Sequence, residues 1–275
     1  SFFKIMKIYK FMPLKKNLCG IIGYPLNKPR SIPIWKEYFK KKRINAQMMK
    51  FEINSKLFNS FVKNLKKNQN FLAMAVTMPY KKKIISQLDQ LDEFANKTQS
   101  VNLVVKENDK LIGYNTDIFG ANENFKINIK KFSNIIIIGL GGTGQAIFNY
   151  LSKTYKQKKF ILISSKYKNK SRNVKIYKNL NEDMLKKTSY IINCTPLGSD
   201  LSKDFLHQSP IEKKLFKKLN KKSCIFDIIY SPNKNVLSKL CKVDNINYMN
   251  GLKMNTLQAQ QALNIVFKKF DQNEN

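Results

Sequence analysis

The stretch Ile135-Ile-Ile-Ile-Gly139-Leu-Gly-Gly-Thr-Gly144-Gln-Ala146 decides the fold of this chain. A run of apolar β-branched residues enters a glycine cluster. Beyond it Ala146, Ile147, Tyr150 and Leu151 recur at helical spacing. The pattern predicts a buried strand, a tight turn and a helix. Gly139 makes the turn, Gly141 lets the backbone approach a pyrophosphate, and Gly144 lets the helix pack close to the strand. Gly142 and Thr143 belong to the same candidate phosphate-binding turn. The helix N-terminus adds unpaired N–H groups and a partial positive charge. The competing reading is a glycine-rich loop between two core elements, so the surrounding chain has to decide.

Upstream, Leu18–Gly23, Ala46–Ile53 and Phe71–Thr77 read as strands. Helical faces between them carry Ile34, Trp35, Tyr38 and Phe39, then Leu57, Phe61 and Leu65. Tyr80 to Leu91 is expected to be helical, and Val101–Val105 with Leu111–Tyr114 to form a hairpin around Asn108-Asp109. Downstream, strands are expected at Phe160–Ile163, Val174–Tyr177, Tyr190–Thr195, Ser223–Tyr230 and Ile246–Met249, with a long final helix from Gly251 to Phe270. The fold class is α/β. An N-terminal α/β substrate domain (1–117) precedes a Rossmann-type doubly wound parallel sheet (118–250), and 251–275 packs back on the first domain.

At 275 residues and 43% hydrophobic content the chain can bury a full core. The formal charge is +33, from 51 basic and 18 acidic residues. A nucleic-acid partner is discounted, because the only arginines are Arg30, Arg43 and Arg172 and the lysines are spread over every segment. The positive field attracts anionic small molecules instead. No apolar run reaches transmembrane length, and the first residues read as a ragged upstream extension, with Met6 or Met12 as the true start. Cys19, Cys194, Cys224 and Cys241 lack metal spacing and read as reduced thiols of a cytoplasmic protein. The single histidine, His207, has no partner in view, so proton transfer falls to Lys, Tyr or a carboxylate.

Two constellations suit that task. In Ala75-Val-Thr-Met-Pro-Tyr-Lys81 a strand delivers Thr77, a proline stops it, and Lys81 is expected to open a helix, where the macrodipole disfavours its charge. The plainer reading is one more surface lysine, since Lys82 and Lys83 follow. In Tyr114-Asn-Thr-Asp117 a carboxylate stands at the domain junction; it either faces a ligand cleft or caps the next helix.

These segments together resemble the shikimate dehydrogenase family, from about Gly20 to Phe267. Val76-Thr-Met-Pro-Tyr-Lys81 is similar to V-T-x-P-x-K, Ser100-Val-Asn102 to A-V-N, and Asn115-Thr-Asp117 to N-T-D. Gly139–Gly144 resembles G-x-G-G-x-G, and Asn193-Cys-Thr-Pro-Leu-Gly198 resembles N-A-T-P-x-G. Asp227-Ile-Ile-Tyr230-Ser-Pro232 is similar to D-x-x-Y-x-P, and Gly251-Leu-Lys-Met254 with Gln258-Ala259 to the closing G-x-x-M…Q-A helix.

The resemblance implies an oxidoreductase of aromatic amino-acid (chorismate) biosynthesis. It would interconvert 3-dehydroshikimate and shikimate by hydride transfer with NADP, NAD being the alternative cofactor. It implies Lys81 and Asp117 as the acid–base pair. Ser31, Thr77, Asn102, Thr116, Tyr230 and Gln258 would contact an anionic hydroxylated cyclohexene acid. Ser165, Lys166, Thr195, Gly251 and Met254 would join the glycine turn around the cofactor. A monomer or homodimer is expected, with no metal. The alternative is a shikimate dehydrogenase-like paralogue acting on quinate or another hydroxylated cyclic acid.

Three departures mark where this chain differs. Pro29-Arg30-Ser31 replaces the S-x-S of the substrate loop, leaving Ser31 and the cations Lys28 and Arg30 to meet the carboxylate. Ala75 replaces the usual Asn. Ser164-Ser-Lys166 replaces N-R-T, so that Lys166, Lys168 or Lys170 is expected to take the 2′-phosphate as a point charge.

Overall fold

The computed structural model describes residues 16–26, 29–164 and 173–271. Lys28, Ser165, Lys166, Lys168 and Lys170, together with Met6 and Met12, lie outside the described residues. The chain divides into two compact units, Ser1–Thr116 with Ala259–Asn275, and Asp117–Gln258.

The first unit holds a six-stranded sheet: β1 (Asn17–Gly23), β2 (Ala46–Glu52), β3 (Phe71–Val76), β4 (Gln90–Leu91), β5 (Leu103–Glu107) and β6 (Lys110–Tyr114), in the order β2-β1-β3-β5-β6-β4. β1 pairs in parallel with β2 and β3, whereas β5 is antiparallel to both of its neighbours. Successive residues of a strand face opposite sides, and the packing follows that period. Leu18, Ile22, Met74 and Val76 pack with Phe58, Phe61 and Leu65 of the helix Phe58–Lys67. Cys19, Ile21 and Ala73 pack on the other face with Trp35 and Phe39 of the helix Ser31–Lys41 and with Val266 and Phe267 of the last helix. Phe267 meets Trp35 and Phe39 edge-on, at centroid distances of 6.1 and 5.4 Å. The turn of the hairpin puts Asn108 and Asp109 at φ 47° and 61°, conformations that short polar side chains tolerate.

The second unit holds β7 (Asn134–Ile138), β8 (Lys159–Ile163), β9 (Val174–Tyr177), β10 (Ser189–Asn193), β11 (Cys224–Asp227) and β12 (Asn247–Met249). All are parallel, in the order β12-β11-β10-β7-β8-β9. This is the doubly wound order, with its switch point between β7 and β10. Ile135 to Ile138 are all buried, as a central parallel strand covered on both faces requires. Each such side chain contributes roughly 1.5–3 kcal/mol relative to exposure.

Several expectations need correction. Tyr80 to Leu91 is not an α-helix: a turn leads into a 3-10 segment, Lys83–Gln87, and then β4. The carbonyl of Lys81 accepts from the N–H of Val101, just ahead of β5, at 2.8 Å, a partner from outside the segment rather than from a helical turn. The macrodipole argument for Lys81 has no helix to rest on. A helix Glu93–Thr98, N-capped by the Asp92 side chain accepting from Ala95 N–H, stands between β4 and β5, where the sequence reading places no element. β11 stops at Asp227 rather than Tyr230, because the Asp227 carboxylate takes the N–H of Ile229 and turns the chain.

Candidate active site

In the first unit, four of the expected side chains come from segments tied to one another at the end of β3. Thr77 N–H donates to Ile22 O at 2.9 Å, and Val76 N–H to Asn102 O at 2.8 Å. A Cβ on Gly23 would lie 2.6 Å from Thr77 Cγ2, so the strand end of β1 touches that threonine. Between Thr77 and Lys81 the chain is anchored by Tyr80. Its buried ring stacks on Phe58 at 4.2 Å and its hydroxyl donates to the carbonyl of Ile53. That anchor fixes the backbone on both sides, while Thr77 and Lys81 themselves remain half-buried.

Asn102 and Thr116 form a reciprocal pair. Asn102 Nδ2 donates to Thr116 Oγ1 at 2.9 Å, and Thr116 N–H donates to Asn102 Oδ1 at 2.8 Å. Asn115 is pinned by Nδ2 donations to Ser100 O (2.8 Å) and Thr98 Oγ1 (3.1 Å), and its N–H reaches Asp92 Oδ1. Buried polar groups satisfied in this way hold a loop in one conformation. Asp117 follows in the first turn of the helix Thr116–Asn128, where a carboxylate is favoured by the macrodipole. It is a residue inside the helix and not its cap. Ser31 opens the helix Ser31–Lys41 directly after Arg30, which is exposed at the N-cap position.

The second unit carries the glycine turn, and its glycines divide by environment. Gly139 has φ +87°, and a Cβ there would sit 2.7 Å from Thr195 Cγ2. A Cβ on Gly144 would fall 1.9 Å from Gly139 O. Those two glycines are demanded by backbone shape and close packing. A Cβ on Gly141 or Gly142 would meet nothing within 4 Å. The space they leave open lies at the N-terminus of the helix Gly142–Thr154, which has no side-chain cap and no acid in its first turn. A pyrophosphate group fits that cradle. Thr143, half-buried, follows in the first turn.

Beside the turn, Thr195 N–H and Oγ1 both donate to Asn193 Oδ1, at 2.9 and 2.7 Å. Asn193 in turn donates to Asp227, which sequence reasoning quoted without giving it a role. Asp227 is fully buried; Oδ1 accepts from Asn193 (2.9 Å) and Ile229 N–H (3.1 Å), and Oδ2 from Asn235 (2.8 Å) and the Tyr248 hydroxyl (3.0 Å). Burial pushes its carboxyl above the ordinary carboxylate range, opposed by those hydrogen bonds. One carboxylate thus fastens the Thr195 loop to the segment leading to half-buried Tyr230. The signal available in the sequence was a lone acid ending the apolar run Cys224-Ile-Phe-Asp227.

Gly251 packs so tightly that a Cβ would lie 2.0 Å from Ile228 O, and its N–H donates to Ile229 O at 3.0 Å. This contact alone requires glycine. Met254 is buried, its carbonyl against Gly120, and Gln258 is half-buried four residues on. All four cysteines are free, and burial raises the Cys19 and Cys224 thiols to about 12 and about 11. Among the described residues no His, Cys, Asp and Glu cluster could hold a metal, and no helix is long and apolar enough to cross a membrane.

Residues 21–104 match the shikimate dehydrogenase substrate binding domain. The shikimate dehydrogenase (NADP(+)) of Clostridium botulinum (strain 657 / Type Ba4) is 34% identical over 254 residues, covering 90% of this chain and 95% of the relative. This chain belongs to the shikimate dehydrogenase family. Solved structures of shikimate dehydrogenases share the fold. One from Peptoclostridium difficile has a TM-score of 0.74 at 25% identity, covering 92% of each chain. Another, in complex with NADP+, has a TM-score of 0.76 at 27% identity, covering 92% of this chain and 93% of that one.

Proposed function

We propose that this chain catalyses the reversible NADP-dependent reduction of 3-dehydroshikimate to shikimate. The observation that supports the reading is the set of hydrogen bonds tying the segments that carry Thr77, Lys81, Asn102 and Thr116 to one another in the unit that matches the family's substrate domain. When bound, NADPH supplies the hydride to the carbonyl carbon. The remaining chemistry falls to the chain. As the carbonyl oxygen gains charge, the Lys81 ammonium stabilises it and donates the proton that completes the alcohol. Asp117 orients Lys81 and takes part in returning its proton. Thr77, Asn102, Thr116, Tyr230 and Gln258 present neutral donors and acceptors to the ring hydroxyls. The open face of Gly141 and Gly142 would receive the pyrophosphate, and Thr195, Gly251 and Met254 would hold other parts of the cofactor. Lys166, Lys168 or Lys170 would take the 2′-phosphate in the place of an arginine. The free cysteines support a cytoplasmic setting.

A second reading, oxidation of quinate or a related cyclic acid, draws on Pro29-Arg30-Ser31. Under the first reading Arg30 and Ser31 hold the substrate carboxylate. Kinetics of two variants test the assignment. Lys81→Ala is expected to lose roughly 10²–10⁴-fold in turnover with NADP affinity retained, and Arg30→Ala to raise the shikimate KM. Near-normal turnover in the first variant makes Lys81 a surface lysine; an unchanged KM in the second removes the Arg30 contact.

A further inference from the structure

The second unit contains a cavity of about 660 Å³ to which the family motifs assign no role, although Lys253 in its wall falls within the Gly251–Met254 segment. Its walls include Lys234, Lys239, Lys242 and Lys253, and no carboxylate lines it. Among the described residues none of these lysines forms an ion pair. The first unit provides an internal comparison. A cavity there of about 610 Å³ also has lysines in its wall, but Asp89 and Asp109 stand among them. Lys66 pairs with Asp89 at 2.7 Å, and Asp109 pairs with Lys106 at 3.0 Å. General lysine richness therefore does not account for the difference; one cavity is neutralised from within and the other is not.

Local structure concentrates the charge. Lys239 and Lys242 are three apart on the helix Val236–Val243 and share a face. Lys234 precedes that helix by way of its cap, Asn235. Lys253 is the second residue of the helix Leu252–Asp271, whose first turn contains no acid. A cation at a helix N-terminus opposes the macrodipole, so this position is unfavourable for helix stability and suits an anion. Neutral donors complete the wall. Asn250 Nδ2 donates to Asn233 Oδ1 at 2.7 Å, which leaves the Asn233 amide nitrogen as a donor, and Asn124 contributes from a further helix. Positive groups focused in a concavity raise the local concentration of anions, and the volume suits a metabolite rather than a nucleic-acid duplex.

We propose that this cavity binds a small polyanion, a metabolite bearing two or more phosphate or carboxylate groups, through the ammonium groups of Lys234, Lys239, Lys242 and Lys253. Calorimetric titration of the full chain tests it, with NADP+ present at saturation so that the glycine turn is filled. Inorganic triphosphate is the probe in one arm and citrate in the other, and the arm that binds identifies the ligand class. Saturable one-to-one binding is expected, on the order of 1 mM or tighter. It should weaken about 10-fold or more in Lys239→Gln/Lys242→Gln and stay unchanged in Lys63→Gln/Lys67→Gln, which removes equal charge from the other cavity. Lys253→Gln gives the same test should the double variant fold poorly. Equal weakening in both double variants, or titration without saturation, means a diffuse field of lysines and overturns the proposal. So does binding of a short DNA duplex, lost in the same variant, with triphosphate and citrate silent.

Discussion

Asn193 donates Nδ2 to Asp227 Oδ1 at 2.9 Å, a fully buried amide on a fully buried carboxylate. Through this bond the strand ends β10 and β11 hold the Thr195 loop and the Tyr230 segment in one frame. Asp227→Ala leaves donors on Asn193, Asn235 and Tyr248 without their acceptor and is expected to destabilise the fold by about 3 kcal/mol or more. Asp227→Asn keeps the shape but turns an N–H₂ toward one of those donors, costing about 1–3 kcal/mol. Urea unfolding measures both, and a loss below about 0.5 kcal/mol for the alanine variant would mean the network is dispensable.

The pH dependence of that difference has a defined sign. Burial raises the folded carboxyl of Asp227 above its unfolded value, so the folded state holds the proton more tightly. Its contribution to stability is greatest below the unfolded value of about 3.9 and is lost as pH rises through the raised folded value. The stability gap between wild type and Asp227→Asn should therefore narrow as pH rises from about 4. A gap that widens over that range contradicts the assignment.

Gly141 and Gly144 should separate binding from folding. Gly141→Ala places a methyl group in open space at φ −67°, so the variant should melt like the wild type while NADP binds at least about 10-fold more weakly. Gly144→Ala forces a Cβ against Gly139 O and should cost stability, on the order of 1–3 kcal/mol. Thermal melts with and without cofactor read both effects. Unimpaired NADP binding in Gly141→Ala would take the pyrophosphate away from this turn.

Much of this was legible in the sequence. The glycine cluster after Ile135–Ile138 identified the turn, because a central parallel strand is apolar on both faces and the glycine spacing answers to backbone contacts. The hairpin was legible from Asn108-Asp109, since few residue pairs accept those φ values. Lys81 was placed on the wrong element. Helical periodicity over Tyr80–Leu91 was real, but a long-range bond from Val101 to the Lys81 carbonyl outweighed it, and sequence does not display such a partner. The task of Asp227 is hidden for the same reason: its side-chain donors lie 8 to 34 residues away.

Tyr190 carries the one buried side-chain oxygen without a hydrogen-bond partner among the described residues. Its ring stacks on Phe132 at 5.9 Å and supplies the packing, whereas the hydroxyl is desolvated without return. Tyr190→Phe is expected to leave stability unchanged or raise it by up to about 1 kcal/mol, because an unsatisfied buried hydroxyl is costly. A loss above about 1 kcal/mol in urea unfolding would reveal a partner for that oxygen.

The central claim is the reaction itself. Absorbance of the reduced nicotinamide is the direct readout, with shikimate and quinate each crossed with NADP+ and NAD+. The account predicts the highest kcat/KM for shikimate with NADP+. No turnover of shikimate with either cofactor would contradict it.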